Sequence, residues 1–290
     1  MTKTVLITGC STGLGKTTAR KFTSEGWNVI ATMRKPDESI AAENPDRIFV
    51  TALDVTDPAS IETAIAAGAA RFGRIDAVVN NAGISVVSIF EATPMKMVRD
   101  IFETNVFGVM NVIQAIIPHF REHSGGAVVN ISSGVGYASS PLLTVYTASK
   151  HAIEGLSESL SYELESQNIT VKLVEPGAIR TTNFTPSTLS ASQDAPTPPE
   201  YKVYVDRMMN AMMNYPFEDA NEEHVAAIVY EAAGDESVRL RYVSGPDAEE
   251  MARLRWSTSE ENYMTVMRDL MGQTAWRNSL GKQSLEQPNT

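Results

Sequence analysis

One tyrosine and one lysine stand at a spacing that can support proton transfer. Lys150 follows Tyr146 by four residues, and no other tyrosine of the chain has a lysine at that distance. On a helix, residues i and i+4 share a face. A nearby ammonium favours the phenolate and lowers the pKa of a phenol from its usual value of about 10. The pair therefore predicts a phenol that can act as a general acid or base.

A pair of serines, Ser132 and Ser133, precedes Tyr146 by about thirteen residues. Ser132 and Ser133 end a run of apolar residues typical of a buried strand. A hydroxyl at the carboxyl end of such a strand can donate to a carbonyl oxygen. It can thereby stabilise the negative charge that develops on that oxygen.

The glycines at positions 9, 13 and 15 predict a phosphate-binding turn between a first strand and a first helix. Glycine allows backbone to approach a ligand closely, and a helix N-terminus offers free N–H groups to a pyrophosphate. The spacing differs from the usual dinucleotide fingerprint, so an ordinary strand-to-helix turn stays an alternative. The following Lys16 and Thr17 suggest a nucleoside triphosphatase loop, but that motif needs glycine where Cys10 stands.

Short apolar runs alternate with longer helical patterns over most of the chain. The predicted strands are 4–8, 28–33, 48–52, 76–80, 127–132 and 170–175. The predicted helices between them are 14–25, 59–72, 94–122 and 145–166. Continuous apolar runs in a βαβ alternation indicate a parallel sheet with helices on both faces. We expect a single α/β, doubly wound domain over residues 1–290, with ligands bound beyond the carboxyl ends of the strands.

The chain changes character after about residue 180. Residues 181–200 are rich in Thr, Ser and Pro and predict a long loop, and 201–215 predict a helix with four methionines. Methionine suits adaptable apolar surfaces, although these four could equally pack a helix into the core. We call 181–217 the lid segment. A helix over 221–233, a strand over 240–243 and a helical extension over 244–290 complete the expected domain, whose residues 1–180 mainly serve the cofactor and catalysis.

Composition limits the functions to consider. The 24 Lys and Arg against 35 Asp and Glu leave a net charge of −11, which disfavours general binding to nucleic acid or to an anionic membrane. No apolar run approaches the ~20 residues of a membrane span. The single cysteine excludes an internal disulfide, and we expect a cytoplasmic protein. His119 and His123 lack a third ligand nearby in sequence, so we expect no metal site.

Six motifs occur in one order along residues 3–245. They are the glycine turn, Asn80-Asn81-Ala82-Gly83, Asn105, Ser133, Tyr146 with Lys150, and Pro176-Gly177. Together they resemble the short-chain dehydrogenase/reductase family, and the segments 31–34 and beyond Pro176 are similar to its hydroxysteroid- and retinol-dehydrogenase-like branch and to bacterial carbonyl reductases. The resemblance implies a Rossmann fold and an oxidoreductase that exchanges a hydride with a nicotinamide cofactor.

The resemblance also implies roles for four residues. Tyr146 would give the proton to the carbonyl oxygen in reduction and take it back in oxidation. Ser133 would polarise the carbonyl, and we prefer it to Ser132 because the family's serine lies thirteen residues before the tyrosine. Lys150 would hold the nicotinamide ribose and lower the pKa of Tyr146. Asn105 would anchor a water that links Lys150 to solvent.

Further residues would contact the cofactor if the resemblance holds. The glycine turn would bind the pyrophosphate. The residues after the third and fourth strands would contact the adenosine, and the segment after Pro176 would contact the nicotinamide. The expected contacts are Gly9, Ser11, Thr12, Gly13, Leu14, Gly15, Arg34, Lys35, Asp54, Val55, Asn81, Ala82, Gly83, Tyr146, Lys150, Pro176, Gly177, Ile179 and Thr181.

The end of the second strand bears on which cofactor is used. An NAD-selective enzyme places a carboxylate there to accept from the ribose 2′-hydroxyl. This chain has Thr32, Met33, Arg34 and Lys35, and Asp37 lies three residues beyond the arginine. An arginine binds a 2′-phosphate well. We therefore expect NADP(H) rather than NAD(H), with Ser11, Thr12 and Lys35 as helpers, although Arg34 and Lys35 could be a solvated turn.

The expected substrate is a bulky, apolar ketone or secondary alcohol. Its pocket would be lined by the lid segment and by Ala138, Ser139, Leu142, Leu143 and Val145. Family members pair through the two long helices, so we expect a homodimer, with a homotetramer as the alternative. A second class of function is an NADP-binding sensor without turnover, which has no need for Ser133, Tyr146 and Lys150 together.

Overall fold

Seven strands form one parallel sheet in the computed structural model, which describes residues 2–182 and 184–283. The strands are β1 (Thr4–Thr8), β2 (Asn28–Met33), β3 (Ile48–Ala52), β4 (Ala77–Asn80), β5 (Gly126–Ile131), β6 (Ile169–Pro176) and β7 (Arg241–Ser244). Their order across the sheet is β3-β2-β1-β4-β5-β6-β7. The direction of winding reverses between β1 and β4, where the carboxyl ends of an open parallel sheet leave a crevice for a ligand.

Eleven α-helices surround the sheet within the described ranges. They are α1 (Gly13–Ser24), α2 (Pro58–Phe72), α3 (Met95–Phe102), α4 (Gly108–Glu122), α5 (Thr144–Glu165), α6 (Phe184–Ala191), α7 (Lys202–Met213), α8 (Glu222–Gly234), α9 (Pro246–Ser257), α10 (Glu260–Leu270) and α11 (Gln273–Gln283). Helices α1 and α8 cover one face of the sheet, and α2, α4 and α5 cover the other. Both faces are thus apolar cores, which confirms the predicted doubly wound α/β domain.

The long predicted helix over 94–122 is interrupted. A π-helical turn, Glu103–Phe107, joins α3 to α4 and contains Asn105. The combined helix Met95–Glu122 is long and apolar enough to cross a membrane by length and composition, which the apolar runs in the sequence did not suggest. Val112, Ile116 and Phe120 of α4 are nevertheless fully buried against the sheet, so this apolar face belongs to the core.

The lid segment contains more helix than predicted. The structure has α6 over Phe184–Ala191 and short 3₁₀ turns at Ser192–Asp194 and Pro199–Tyr201, where the sequence predicted one long loop. Pro186 is the third residue of α6, a position in the first turn where its missing N–H is not needed. The prolines therefore start helical turns here instead of preventing them.

The C-terminal extension packs against the turn that follows β5. Tyr137 of that turn lies in a buried cluster with Met251, Leu254 and Tyr263. Its hydroxyl donates to the Ala248 carbonyl oxygen at 2.9 Å. The extension therefore supports the segment between β5 and α5, which carries the candidate catalytic serine.

Candidate active site

A cleft of about 1390 Å3 opens at the carboxyl ends of the strands. One end is lined by the glycine turn and by the residues that follow β2 and β3. The middle is lined by residues after β4, β5 and β6 and by the first turn of α5. The lid segment and α9 cover the other end. The cleft thus joins the predicted cofactor and substrate regions in one continuous space.

The glycine turn is packed too closely for larger residues. Gly9 has φ +76°, and a Cβ there would lie 3.1 Å from the Ala82 Cα. A Cβ on Gly15 would overlap with the Gly9 carbonyl oxygen. Asn81 Nδ2 donates to the Thr8 and Gly9 carbonyl oxygens at 2.9 and 3.2 Å. These contacts hold the turn against the end of β4 and explain the glycines at positions 9 and 15.

The start of α1 is open toward the cleft. Thr12 is the N-cap residue in an extended conformation, and within the described residues its side chain makes no capping hydrogen bond. The residues from Ser11 to Gly15 all line the cleft. Free N–H groups at a helix start, together with the positive end of the helix dipole, form a site for a phosphate. The geometry here fits a dinucleotide pyrophosphate.

The ends of β2 and β3 form the adenosine end of the cleft. Arg34 is exposed and lines the cleft, as do Asp54 and Val55, whereas the described lining does not include Lys35. Asp54 Oδ1 accepts hydrogen bonds from the backbone and side chain of Thr56. Asp37 accepts from the Ser39 backbone and hydroxyl in its own turn. Arg34 thus faces the cleft, whereas the Asp37 carboxylate is hydrogen-bonded to Ser39 within its own turn.

Tyr146 and Ser133 meet in the middle of the cleft. Tyr146 lies in the first turn of α5 and Ser133 lies two residues after the end of β5, and this brings the Ser133 side chain next to the phenol. Ser132 instead donates to the buried carboxylate of Glu154. The ring of Phe184, from α6, lies 5.7 Å from the Tyr146 ring. The structure therefore brings Ser133, and not Ser132, to the phenol.

Lys150 lies one helical turn beyond Tyr146 and is buried. Its Nζ donates to the Ile131 carbonyl oxygen at 2.7 Å and lies 5.6 Å from the centre of the Tyr146 ring. Burial lowers the pKa of Lys150 to about 8, and the charge of Glu154 opposes that shift. The ammonium is thus held by a backbone carbonyl, and the charge of Glu154 acts on it from one helical turn away.

The pKa of Tyr146 shifts upward overall, opposite to the predicted direction. Burial raises the pKa of Tyr146 to about 12, and the hydrogen bond with Ser133 only partly opposes that shift. Desolvation disfavours the anionic phenolate, and spacing along a helix does not reveal how deeply a group is buried. Tyr146 therefore carries its proton at neutral pH, as a proton donor must.

Asn105 holds the backbone beside the cleft. Its Oδ1 accepts from the Ile84 N–H at 2.9 Å, and its Nδ2 donates to the Ile84 carbonyl at 2.8 Å and to Ser149 Oγ at 3.1 Å. The side chain is buried and ties the loop after Gly83 to α5. It thereby aligns Ala82 and Gly83, which line the cleft, with the helix that carries Tyr146.

The loop after β6 is held by a residue that sequence reasoning missed. Asp247 Oδ2 accepts from the Ala178 N–H at 2.9 Å, and the carboxylate packs so tightly on Gly177 that a Cβ there would overlap with it. Asp247 lies 69 residues from Ala178, so no local pattern signals the contact. Thr181, which was predicted to contact the cofactor, is exposed. Among the described residues, Thr182 lines the cleft instead of Thr181.

The four methionines of the lid segment divide between two environments. Met209, Met212 and Met213 line the cleft, whereas Met208 is buried in a cluster with Ile89 and Leu142. Met209 and Met212 also pack against that cluster, so both interpretations of the sequence apply. Of the predicted pocket wall, Leu143 is in the described lining, and Ala138, Ser139, Leu142 and Val145 are not.

The histidine pair has a structural explanation. His119 Nε2 accepts from the Ile75 N–H at 2.9 Å, and the rings of His119 and His123 stack with centres 4.2 Å apart. Among the described residues, no group of three His, Cys, Asp or Glu could hold a metal ion. Cys10 is fully buried, and burial raises the pKa of its thiol to about 12.

Comparison with known proteins places these features in a family. The family model described as short chain dehydrogenase matches residues 3–192. An uncharacterized oxidoreductase of Bacillus subtilis, YusZ, is 37% identical over 252 residues, which cover 84% of this chain and 89% of that protein.

Solved structures share the fold over most of their length. A short-chain dehydrogenase from Streptomyces avermitilis is 31% identical, with a TM-score of 0.76 and 98% of each chain covered. The structure of ElxO with NADP bound is 27% identical, with a TM-score of 0.69, covering 84% of this chain and 98% of that chain. Structures with this fold contain NAD in other cases.

Proposed function

This chain belongs to the short-chain dehydrogenase family, and from that premise we propose that it is an NADP(H)-dependent oxidoreductase acting on a bulky, apolar ketone or the matching secondary alcohol. The observation that carries the proposal is the position of the Ser133 side chain next to the Tyr146 phenol. The pair lies beside buried Lys150, in the same cleft as the open start of α1.

The chain's own residues would hold the dinucleotide along this cleft. The amides at the start of α1 would bind the pyrophosphate, and Arg34 with Ser11 and Thr12 would bind a 2′-phosphate. Lys150 would bind the nicotinamide ribose, and Gly177 with Ile179 would lie along the nicotinamide. When bound, the cofactor supplies the hydride and the protein supplies alignment and the proton.

The proton chemistry follows from the two hydroxyls. A carbonyl oxygen placed between Ser133 and Tyr146 accepts a hydrogen bond from each, which stabilises the negative charge that develops on it. The phenol then transfers its proton to that oxygen. The Lys150 ammonium lies close enough to balance the phenolate left behind. Oxidation of an alcohol uses the same groups in reverse.

Two observations support NADP(H) as the cofactor. Arg34 faces the cleft where a 2′-phosphate would lie, and Asp37 is engaged with Ser39 in its own turn. A structural relative at 27% identity has NADP bound. An arginine in this place favours a phosphate, whereas a carboxylate would repel one.

The lid end of the cleft supports an apolar substrate. Phe184, Leu189 and the methionines of α7 provide a flexible apolar surface opposite the catalytic pair. We infer that 181–217 closes over the substrate. We also propose a cytoplasmic homodimer paired through α4 and α5, which carry or adjoin the exposed aromatic residues Phe107 and Tyr162.

The test is oxidation of NADPH and of NADH, each with a panel of aryl ketones, steroid ketones, retinal and α-diketones. We expect turnover with NADPH and at least one bulky ketone, and slower turnover with NADH. Tyr146→Phe in the same assay should be inactive. Tight NADPH binding without turnover on any member of the panel would overturn the proposal in favour of a sensor.

A further inference from the structure

A line of ionisable residues runs along α5 from the catalytic pair to the surface. Tyr146, Lys150, Glu154 and Glu158 are each four residues apart and therefore share one face of the helix. Lys150 and Glu154 are buried, and the side chain of Glu158 is 49% exposed. Glu154 therefore stands between the catalytic lysine and the outside of the protein.

Both carboxylate oxygens of Glu154 are engaged. Ser132 Oγ donates to Oε1, and Arg241 Nε, from β7, lies 3.3 Å from Oε2. Ser132 directly precedes Ser133, so this bond fixes the backbone that presents the catalytic hydroxyl. The same carboxylate is the charged group that acts on Lys150 from one helical turn away.

A second carboxyl group lies close to the first. Glu175, on β6, is fully buried, and neither of its carboxyl oxygens has a hydrogen-bond partner among the described residues. Both carboxyls lie beside the same Arg241 Nε, which is 3.3 Å from Glu154 Oε2 and 3.3 Å from Glu175 Oε1. The Nη2 of Arg241 donates to Glu158 at 2.8 Å. One guanidinium is thus shared by three carboxyl groups, two of which are buried. Two buried carboxyls this close together do not both ionise readily.

Within the described residues, the surrounding groups add no cation near this pair beyond Lys150 and Arg241. Besides Lys150 on α5 and Arg241 on β7, the described groups that face it are Ser132, Glu158 and Tyr137. The Arg241 guanidinium carbon lies 5.9 Å from the centre of the Trp256 ring, on α9. Burial and the negative charge of Glu154 raise the pKa of Glu175 well above its usual range.

We propose that Glu154 and Glu175 are a proton-sharing carboxyl pair in which Glu154, the ionised member, positions Lys150 and Ser133 for the reaction. Glu154, ionised, keeps the buried Lys150 ammonium charged and fixes Ser132 through its hydroxyl. Glu175 holds the shared proton, so that the pair carries one negative charge instead of two. The catalytic consequence rests on the proposed function, whereas the shared proton does not.

The first experiment is the pH dependence of kcat and kcat/KM for three matched variants. Glu154→Gln removes the charge that opposes deprotonation of Lys150. We therefore expect the alkaline limb of the pH–rate profile of this variant to move at least one pH unit lower. We also expect kcat to fall about 10–100-fold at neutral pH. Glu175→Gln, whose amide replaces a protonated carboxyl, should stay within about threefold of the unsubstituted protein. Glu158→Gln, at the exposed end of the line of ionisable residues, should also keep its activity within about threefold.

Two outcomes of that experiment would overturn the proposal. One is an alkaline limb that stays in place in Glu154→Gln. The other is an equal loss of kcat in Glu154→Gln and Glu175→Gln, because that would assign both residues a plain packing role. Circular dichroism and Tm of each variant separate such a loss from misfolding.

The second experiment needs no turnover. An infrared spectrum of the protein at neutral pH should show the carbonyl stretch of a protonated, buried carboxylic acid, and Glu175→Gln should remove it. Burial raises the folded pKa of Glu175 well above its unfolded value of about 4.3. The folded state therefore binds more protons between these values, and the free energy of unfolding falls as pH rises through this window.

Glu175→Gln should flatten this part of the stability profile, measured by urea unfolding at several pH values. Absence of the infrared band, or an unchanged slope in Glu175→Gln, would refute the shared proton. If both results hold and no ketone is reduced, the proposed function fails while the carboxyl pair stands. If a ketone is reduced but the infrared band and the change in slope are both absent, the carboxyl pair is refuted and the proposed function stands.

Discussion

The two walls of the cleft are held in place by different interactions. The wall at the ends of β1, β4 and β5 depends on directional hydrogen bonds, such as those of Asn81 to Thr8 and Gly9. The lid wall depends mainly on apolar packing around Met208, with tethers such as the 2.9 Å bond from the Val87 N–H to Ser192 Oγ.

This difference separates chemistry from substrate range. A hydrogen-bonded wall accepts few residue types, because each substitution leaves a buried partner unsatisfied. An apolar wall accepts many residues of similar volume. The catalytic groups lie on the first wall, and the methionines lie on the second. Variants that target one wall at a time can test this division.

The largest effect is expected from the phenol. Tyr146→Phe removes the proton donor and should lower kcat about 10²–10⁴-fold while NADPH binding stays within about twofold. Tyr204→Phe is the matched control on the lid wall, where that hydroxyl bonds Gln273. It should keep near-full activity. Substantial ketone reduction by Tyr146→Phe would remove Tyr146 from its assigned role.

The next effect is expected from the glycine turn. Gly15→Ala places a methyl group against the Gly9 carbonyl and should lower the free energy of unfolding by about 1–3 kcal/mol. It should also weaken NADPH binding at least tenfold. Gly155→Ala on α5 meets nothing within 4 Å and should stabilise the protein by about 0.5–1 kcal/mol. Urea unfolding and cofactor titration measure both variants, and equal behaviour would contradict the close packing of the turn.

A moderate effect is expected at the adenosine end. Arg34→Ala removes charged hydrogen bonds worth about 1.5–3 kcal/mol and should raise KM for NADPH about 10–100-fold. KM for NADH should change little. Lys35→Ala, one residue outside the cleft lining, should have a smaller effect on both. Equal changes for the two cofactors in Arg34→Ala would reject this residue as the 2′-phosphate ligand.

The smallest catalytic effect is expected on the lid wall. Met213 is 63% exposed and lines the cleft, so Met213→Ala should change KM for a bulky ketone about threefold and leave Tm unchanged. Met208→Ala empties a buried position and should lower the free energy of unfolding by about 2–5 kcal/mol. If both variants altered only stability, α7 would pack the core and play no part in substrate choice.

The fold was readable from the sequence, and the site only in part. Strands buried on both faces must be apolar throughout, so their bounds were predicted to within two residues. The ends of the helices that cover the sheet were predicted equally closely, but the π-helical turn inside 94–122 was not. The contact of Asp247 with the loop after β6 was not predictable, because it joins segments that only the folded chain brings together. The burial of the Tyr146 phenol could not be predicted from the sequence either. For that reason its pKa was predicted to shift in the wrong direction.

The sequence by itself determined the parallel sheet, the glycine turn and the pairing of Tyr146 with Lys150, because periodicity and close backbone approach restrict residue types locally. Only the tertiary structure decided that Ser133 meets the phenol, that Met208 and Met213 have different surroundings, and that Glu154 and Glu175 share Arg241. These outcomes depend on desolvation and on contacts between distant segments, and both arise only when the chain is packed.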